Sequence, residues 1–167
     1  LLSAVMVTVF AVPATGFTQN ITKNTTEIPD NLFVTITFHD VRDDVAREGD
    51  RDLYAISTKN LGRYFAWLKQ EGWQTISLQD VWDARQKKKK LPKKSVLLTF
   101  DDGALSSYTR VFPLLKQYKY FAAFAIPTSW INGNTKDAYE AYGQNSLMSW
   151  DQMREMQRSG LVEFVSH

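Results

Sequence analysis

Cysteine is absent from the 167 residues, so disulfides, thiolate metal sites and cysteine nucleophiles are excluded from this stretch, although the lack identifies no compartment. Histidine is scarce: His39 and His167 are the two in the chain. Neither charge sign dominates. The 20 Lys and Arg stand against 18 Asp and Glu for a net +2, too small a bias to argue for a nucleic-acid partner. Internal repeats are missing, and the one biased tract is basic, Lys87–Lys90 with Lys93 and Lys94. It reads as a solvated loop in preference to a site for an anionic polymer or membrane surface. What is present, 44% hydrophobic and 23% charged residues, suits one domain with a real hydrophobic core.

Apolar runs long enough to span a bilayer are also lacking. Leu1–Val12 is apolar or small and is followed by Pro13-Ala14-Thr15-Gly16, which resembles the hydrophobic region and cleavage zone of a secretory signal. With no initiator Met or basic stretch before it, and no lipid-attachment Cys after it, residues 1–17 are expected to be a partial signal peptide. Residues 18–32 are then a polar linker, with sequons at Asn20 and Asn24, and residues 33–167 the domain. The expected location is extracytoplasmic: periplasm or cell surface, with outer-membrane association as one form of it.

Strand and helix signals alternate from residue 33 onward. Phe33–Phe38 is β-branched and aromatic, hence a strand. Leu61, Tyr64, Phe65 and Leu68 recur at helical spacing between a Ser57 or Thr58 cap and Gly72. A strand over Trp73–Leu78, a short helix over Asp80–Gln86 and a strand over Val96–Phe100 follow. Ser106 or Ser107 is read as the cap of a helix carrying Tyr108, Phe112, Leu115 and Tyr118, kinked at Pro113. Tyr120–Ile126 is a strand, Thr128–Ser146 a long irregular loop, and Ser149 with Gln152 a capping box. That last helix ends at Gly160, before a strand over Leu161–Val165. About five strands joined by helices imply an α/β fold with parallel strands, an open sheet or an incomplete (β/α) barrel.

Parallel strands place their carboxyl ends on one face, where α/β folds hold their sites. His39, Asp101, Asp102 and His167 each follow a predicted strand. Adjacent buried carboxylates repel and cost several kcal/mol to desolvate unless a cation or a proton relieves them. Gly103 lets the chain turn sharply after them. His and Asp ligands without thiols suit a catalytic divalent ion, Zn²⁺ first, with an activated water and a carboxylate to take its proton. Alternation along a strand puts neighbouring side chains on opposite faces, so the two acids are expected to take different roles. Asp102 and His167 are the ligand candidates. The third lies beyond residue 167, or is His39, or the site is not a complete metal site.

Thr99-Phe100-Asp101-Asp102-Gly103, Phe38-His39-Asp40-Val41 and Ser166-His167 together resemble the polysaccharide deacetylase superfamily, the family 4 carbohydrate esterases. With Phe65-Ala66-Trp67-Leu68 and Tyr108-Thr109-Arg110-Val111-Phe112-Pro113, the order is similar to the poly-β-1,6-N-acetyl-D-glucosamine N-deacetylases of biofilm export systems. The resemblance covers about Phe33 to His167. It implies a hydrolase acting on carbon–nitrogen bonds other than peptide bonds, with Asp101 as general base and Asp102 and His167 as metal ligands. A further histidine ligand is implied about one helical turn onward. His39 would protonate the departing amine, from an early position where most relatives carry that residue late. The implied metal is Zn²⁺, with Ni²⁺, Co²⁺ or Fe²⁺ as alternatives. Poly-N-acetylglucosamine is the implied substrate and an outer-membrane export porin a partner; no nucleic acid is expected.

On this resemblance the chain reads as an N-terminal fragment of a barrel, inactive alone and open at two sheet edges. Trp130, Tyr139, Tyr142 and Trp150 suit either sugar stacking or anchoring of the irregular loop. Competing readings are a catalytically silent glycan-binding module and a chitin or peptidoglycan deacetylase. A phosphohydrolase is disfavoured because the residue after the acid pair is Gly103 where Asp-x-Asp enzymes need an acid.

Overall fold

The computed structural model describes residues 6–11, 31–43, 54–133, 136 and 147–167. The sequons, most of the predicted linker, and Tyr139 and Tyr142 lie outside the described residues.

One sheet organises the molecule. Its central strand β6 (Ser95–Asp101) is flanked by β2 (Leu32–Phe38) on one side. On the other side, β5 (Gln74–Thr75) pairs with the start of β6 and β7 (Ala122–Ile126) with its end. Beyond β7 lies β8 (Val162–Ser166). These five strands are parallel, as the alternation of strand and helix predicts. A sixth strand, β1 (Met6–Ala11), runs antiparallel along β2, Met6 opposite Thr37 and Ala11 opposite Leu32. The run read from sequence as a secretory core thus contributes an edge strand, where its backbone groups find partners. Two short strands, β3 (Asp40–Val41) and β4 (Ala55–Ile56), form a separate parallel pair just past the end of β2.

Even-numbered strand residues face the helices. Phe38, Phe100, Phe124 and Phe164 lie directly opposite one another across four strands. Their rings follow at 5.1, 5.0 and 5.7 Å between centroids, and such pairs contribute about 0.5–1.5 kcal/mol each beyond burial. Against this row pack Leu61, Phe65 and Leu68 of α1 (Thr58–Gln70), Leu115 of α3 (Phe112–Tyr118), and Met153 and Met156 of α5 (Trp150–Arg158). The ladder fixes four strand ends at one level, and the residues that follow it are His39, Asp101, Ala125 and Val165.

Odd-numbered residues face the other way. Phe33 and Leu97 pack there with Ile76 and Ala84, the latter on α2 (Leu78–Arg85), which covers the amino half of that face. Towards the carboxyl ends the same face carries Thr37, Thr99, Asp101, Ala123 and Ala125, and Thr99 donates a hydrogen bond to Thr37 at 2.8 Å. The bottom of the face is thus a second apolar core, and its top is small and polar.

Three expectations change. The strand expected over Trp73–Leu78 shortens to Gln74–Thr75, because Ser77 and Asp80 form a capping box that starts α2 at Leu78. Glu163 of β8 accepts a further bond from the Leu78 N–H at 2.7 Å. Neither Ser106 nor Ser107 caps a helix with its side chain; Phe112 N–H instead reaches back to the Ser107 carbonyl, making a π-helical turn over Ser107–Val111. Pro113, lacking an N–H, stands inside the helical run over residues 105–118, as read from sequence, at the point where α-helical bonding resumes after the π-helical turn. The predicted loop after Pro127 begins with the short helix α4 (Thr128–Ile131).

Candidate active site

The Asp101-Asp102-Gly103 turn departs from strand geometry at once. Asp102 has φ of 71° and Gly103 N–H donates to the Asp101 carbonyl at 2.9 Å, a γ-turn centred on Asp102. Asp102 N–H still reaches Ala125 O at 3.0 Å, and Gly103 O accepts from Met148 N–H at 2.9 Å. The turn is therefore held from both sides. Gly103 has φ of 73°, and a Cβ there would meet Ile126 Cδ1 at 3.2 Å, so glycine is favoured over any residue with a side chain.

This turn overrides the alternation that would send the two carboxylates to opposite faces. Both reach His167: Asp102 Oδ1 lies 3.6 Å from its Nε2, and Asp101 Oδ2 lies 3.9 Å from the same nitrogen. His167 continues the β8 ladder by donating its N–H to Ile126 O at 3.2 Å. One strand separates it from β6, and on that strand Ala123 and Ala125 leave room for the two side chains to meet. On the other flank His39 Nε2 is 3.9 Å from Asp101 Oδ2. All four residues predicted from strand ends therefore converge, with Asp101 between two imidazoles.

Burial raises the pKa of Asp101; attraction to His39 and His167 opposes this, and repulsion by Asp102 adds to it. The net displacement is upward. His39 itself packs edge-on against Tyr54 at 5.2 Å. Its neighbour Asp40 accepts from the Ser106 hydroxyl at 2.8 Å and lies 3.4 Å from the Arg42 guanidinium, while Ser106 Oγ accepts from Val41 N–H. These contacts fix the backbone that carries His39. The sequence offers Ser106 or Ser107 as a helix cap and Asp40 as part of the Phe38-His39-Asp40-Val41 motif, with no separate role for Asp40 or Arg42; the adjacency of Asp40 to His39 is the available signal.

Two donors bound tetrahedrally at zinc distances are about 3.4 Å apart. The 3.6 Å between His167 Nε2 and Asp102 Oδ1 fits that edge, whereas the 3.9 Å to Asp101 is longer. Asp102 and His167 thus suit two ligand positions. Among the described residues, no set of three His, Asp or Glu is arranged to hold an ion.

Residues 88–167 match the family model described as polysaccharide deacetylase. The poly-beta-1,6-N-acetyl-D-glucosamine N-deacetylase of Escherichia coli K12 is 39% identical over 143 residues, 83% of this chain and 21% of that protein. Its counterpart from Staphylococcus aureus is 31% identical over 114 residues, 68% of this chain and 37% of that one. The solved structure of a de-N-acetylase from Aggregatibacter actinomycetemcomitans superposes with a TM-score of 0.69 at 36% identity, over 81% of this chain and 54% of that one.

The chain belongs to the polysaccharide deacetylase family.

It spans about a fifth of the length of the Escherichia coli relative and about half of the solved deacetylase. The family assignment fits the parallel sheet and the acid pair at its centre. Of the aromatics read as candidates for sugar stacking, Trp150 donates its indole N–H to Asn132 Oδ1 at 3.0 Å and is 39% exposed. It is anchored at one edge with a free face.

Proposed function

We propose that this chain carries the acid–base and ion-binding face of an N-deacetylase acting on poly-β-1,6-N-acetyl-D-glucosamine. The observation that supports it is the placement of Asp101 Oδ2 3.9 Å from both imidazoles, beside an Asp102–His167 pair at ligand spacing. The substrate is taken from the names of the relatives. Asp102 and His167 would hold a divalent ion, Zn²⁺ first and Ni²⁺, Co²⁺ or Fe²⁺ as alternatives, which when bound polarises the acetamide carbonyl and stabilises charge on its oxygen. Asp101 accepts the proton of the water that attacks the carbonyl carbon, and its raised pKa makes it a stronger base than an ordinary aspartate. His39 gives a proton to the amine as the C–N bond breaks, so acetate and a glucosamine unit depart. On this reading the protein works outside the cytoplasm, in the periplasm or at the cell surface, and hands its product to an outer-membrane export porin.

The test is acetate release from poly-N-acetylglucosamine oligomers by the full-length protein, together with its metal content. Asp102→Ala is expected to abolish metal uptake. Asp101→Asn is expected to keep the metal and lose about 10²–10⁴-fold in turnover. Retained turnover in Asp101→Asn removes Asp101 as the base. Polymer binding without acetate release by the unsubstituted protein replaces the enzyme with a glycan-binding module.

A further inference from the structure

His39 stands where one sheet hands over to another. Phe38 before it ends β2 and lies opposite Phe100, whereas Asp40 after it begins β3 and lies opposite Ala55. Asp101, 3.9 Å from its Nε2, belongs to β6 of the main sheet. The placement of this imidazole against that carboxylate therefore depends on how the short β3–β4 pair is seated on the rest of the molecule.

β3 is held along both edges. Asp40 and Arg42 donate their N–H groups to Tyr54 O and Ile56 O at 3.3 and 3.0 Å. Val41, between them, turns its N–H to the other edge and meets Ser106 Oγ at 3.3 Å, while the same hydroxyl donates to Asp40 Oδ1 at 2.8 Å. One serine thus grips main chain and side chain of the two residues that follow His39. Val41 is fully buried, so losing this partner carries the cost of an unsatisfied donor.

Ser106 is itself firmly based. The chain that links it to Asp101 is fixed by Asp102 N–H on Ala125 O, by Met148 N–H on Gly103 O, by the bridge between Ala104 and Leu147, and by Ser107 N–H on Ala104 O. A second clasp lies farther out, where Arg110 reaches Asp43 and Thr58 and Asp43 also accepts from Thr58 N–H. The β3–β4 pair therefore stays attached when the inner link is cut. The adjoining Ser107 is buried, yet its hydroxyl has no hydrogen-bond partner among the described residues, so it supplies a matched control.

We propose that Ser106 is a positioning residue for the proton-donating step, setting His39 against Asp101 by way of Asp40 and Val41. The inference rests on the deacetylase reading above. An amide breaks only if its departing nitrogen receives a proton, whereas a phenolate leaves an aryl ester unaided. Misplacing His39 should therefore slow amide cleavage selectively.

The test is steady-state acetate release by the full-length, metal-loaded protein from poly-N-acetylglucosamine oligomers and from 4-nitrophenyl acetate. Ser106→Ala is expected to lose about 10–100-fold in kcat on the oligomers, with KM within about twofold. Its aryl-ester hydrolysis and metal content should be unchanged. Ser106→Thr, which keeps the hydroxyl, should restore the oligomer rate, and Ser107→Ala should match the unsubstituted protein on both substrates. Undiminished oligomer turnover in Ser106→Ala, equal losses on the two substrates, or the same loss in Ser107→Ala would each overturn the proposal and leave the deacetylase reading standing. No acetate release from the oligomers by the unsubstituted protein would overturn that reading and this inference with it.

Discussion

Asp102 sits at a φ of 71°, a region that side chains avoid at a cost of about 1–3 kcal/mol. The conformation brings two successive carboxylates to one imidazole, so the strain serves the site at the expense of the fold. Asp102→Gly should therefore raise the stability of the metal-free protein by about 1 kcal/mol, seen as a higher urea midpoint, while the ion uptake proposed for Asp102 is lost. Gly103→Ala should do the opposite. Its positive φ and the 3.2 Å approach to Ile126 predict a loss of about 1–2 kcal/mol. An unchanged midpoint in both variants would mean that the turn stores no strain. The candidate residues could be singled out in the sequence because each lies at or just past the end of a predicted strand. Their shared direction was not legible, since the γ-turn depends on Ala125 O and Met148 N–H from distant segments.

At the scale of elements, α2 shows how a local signal wins over a tertiary guess. Trp73–Leu78 has the composition of a strand, yet Ser77 and Asp80 exchange reciprocal bonds at 3.0 Å and start a helix. Burial pushes the Asp80 pKa up, but hydrogen bonds from Lys89 and Ser77 outweigh it and the net value is lowered. A carboxylate with a depressed folded pKa stabilises fully above its unfolded value, near 3.8. That contribution is lost as pH falls through the lower folded value. Asp80→Asn should flatten this acid limb in thermal melts followed from neutral pH downward, and Ser77→Ala should cost about 1 kcal/mol at neutral pH. An acid limb unaltered by Asp80→Asn would place the titration elsewhere. The helices α1 and α5 were legible from local signals, Ser57 and the Ser149–Gln152 box, and α2 was legible over Asp80–Gln86, two residues late at its start. The π-helical turn was not: it is defined by the bond from Phe112 N–H to the Ser107 carbonyl, directly before Pro113, and residue spacing alone marks only a helix there.

At the scale of the molecule, both sheet edges were expected to be open, and the structure treats them differently. β1 lies along β2, whereas β8 pairs with β7 on one side and, among the described residues, with no strand on the other. Alternating sequence signals disclose parallel order, but they do not disclose which edge an upstream segment will close. Val165, 40% exposed near the end of β8, adds apolar surface to a row of backbone groups able to template another strand. The 167-residue chain by itself is therefore expected to associate with rising concentration through β8. A lysine on that strand opposes such pairing by charge and solvation. Val165→Lys should shift sedimentation-velocity profiles towards monomer at equal concentration, and Lys87→Gln at the opposite pole should leave them unchanged. Association insensitive to Val165→Lys would assign the contact to another surface.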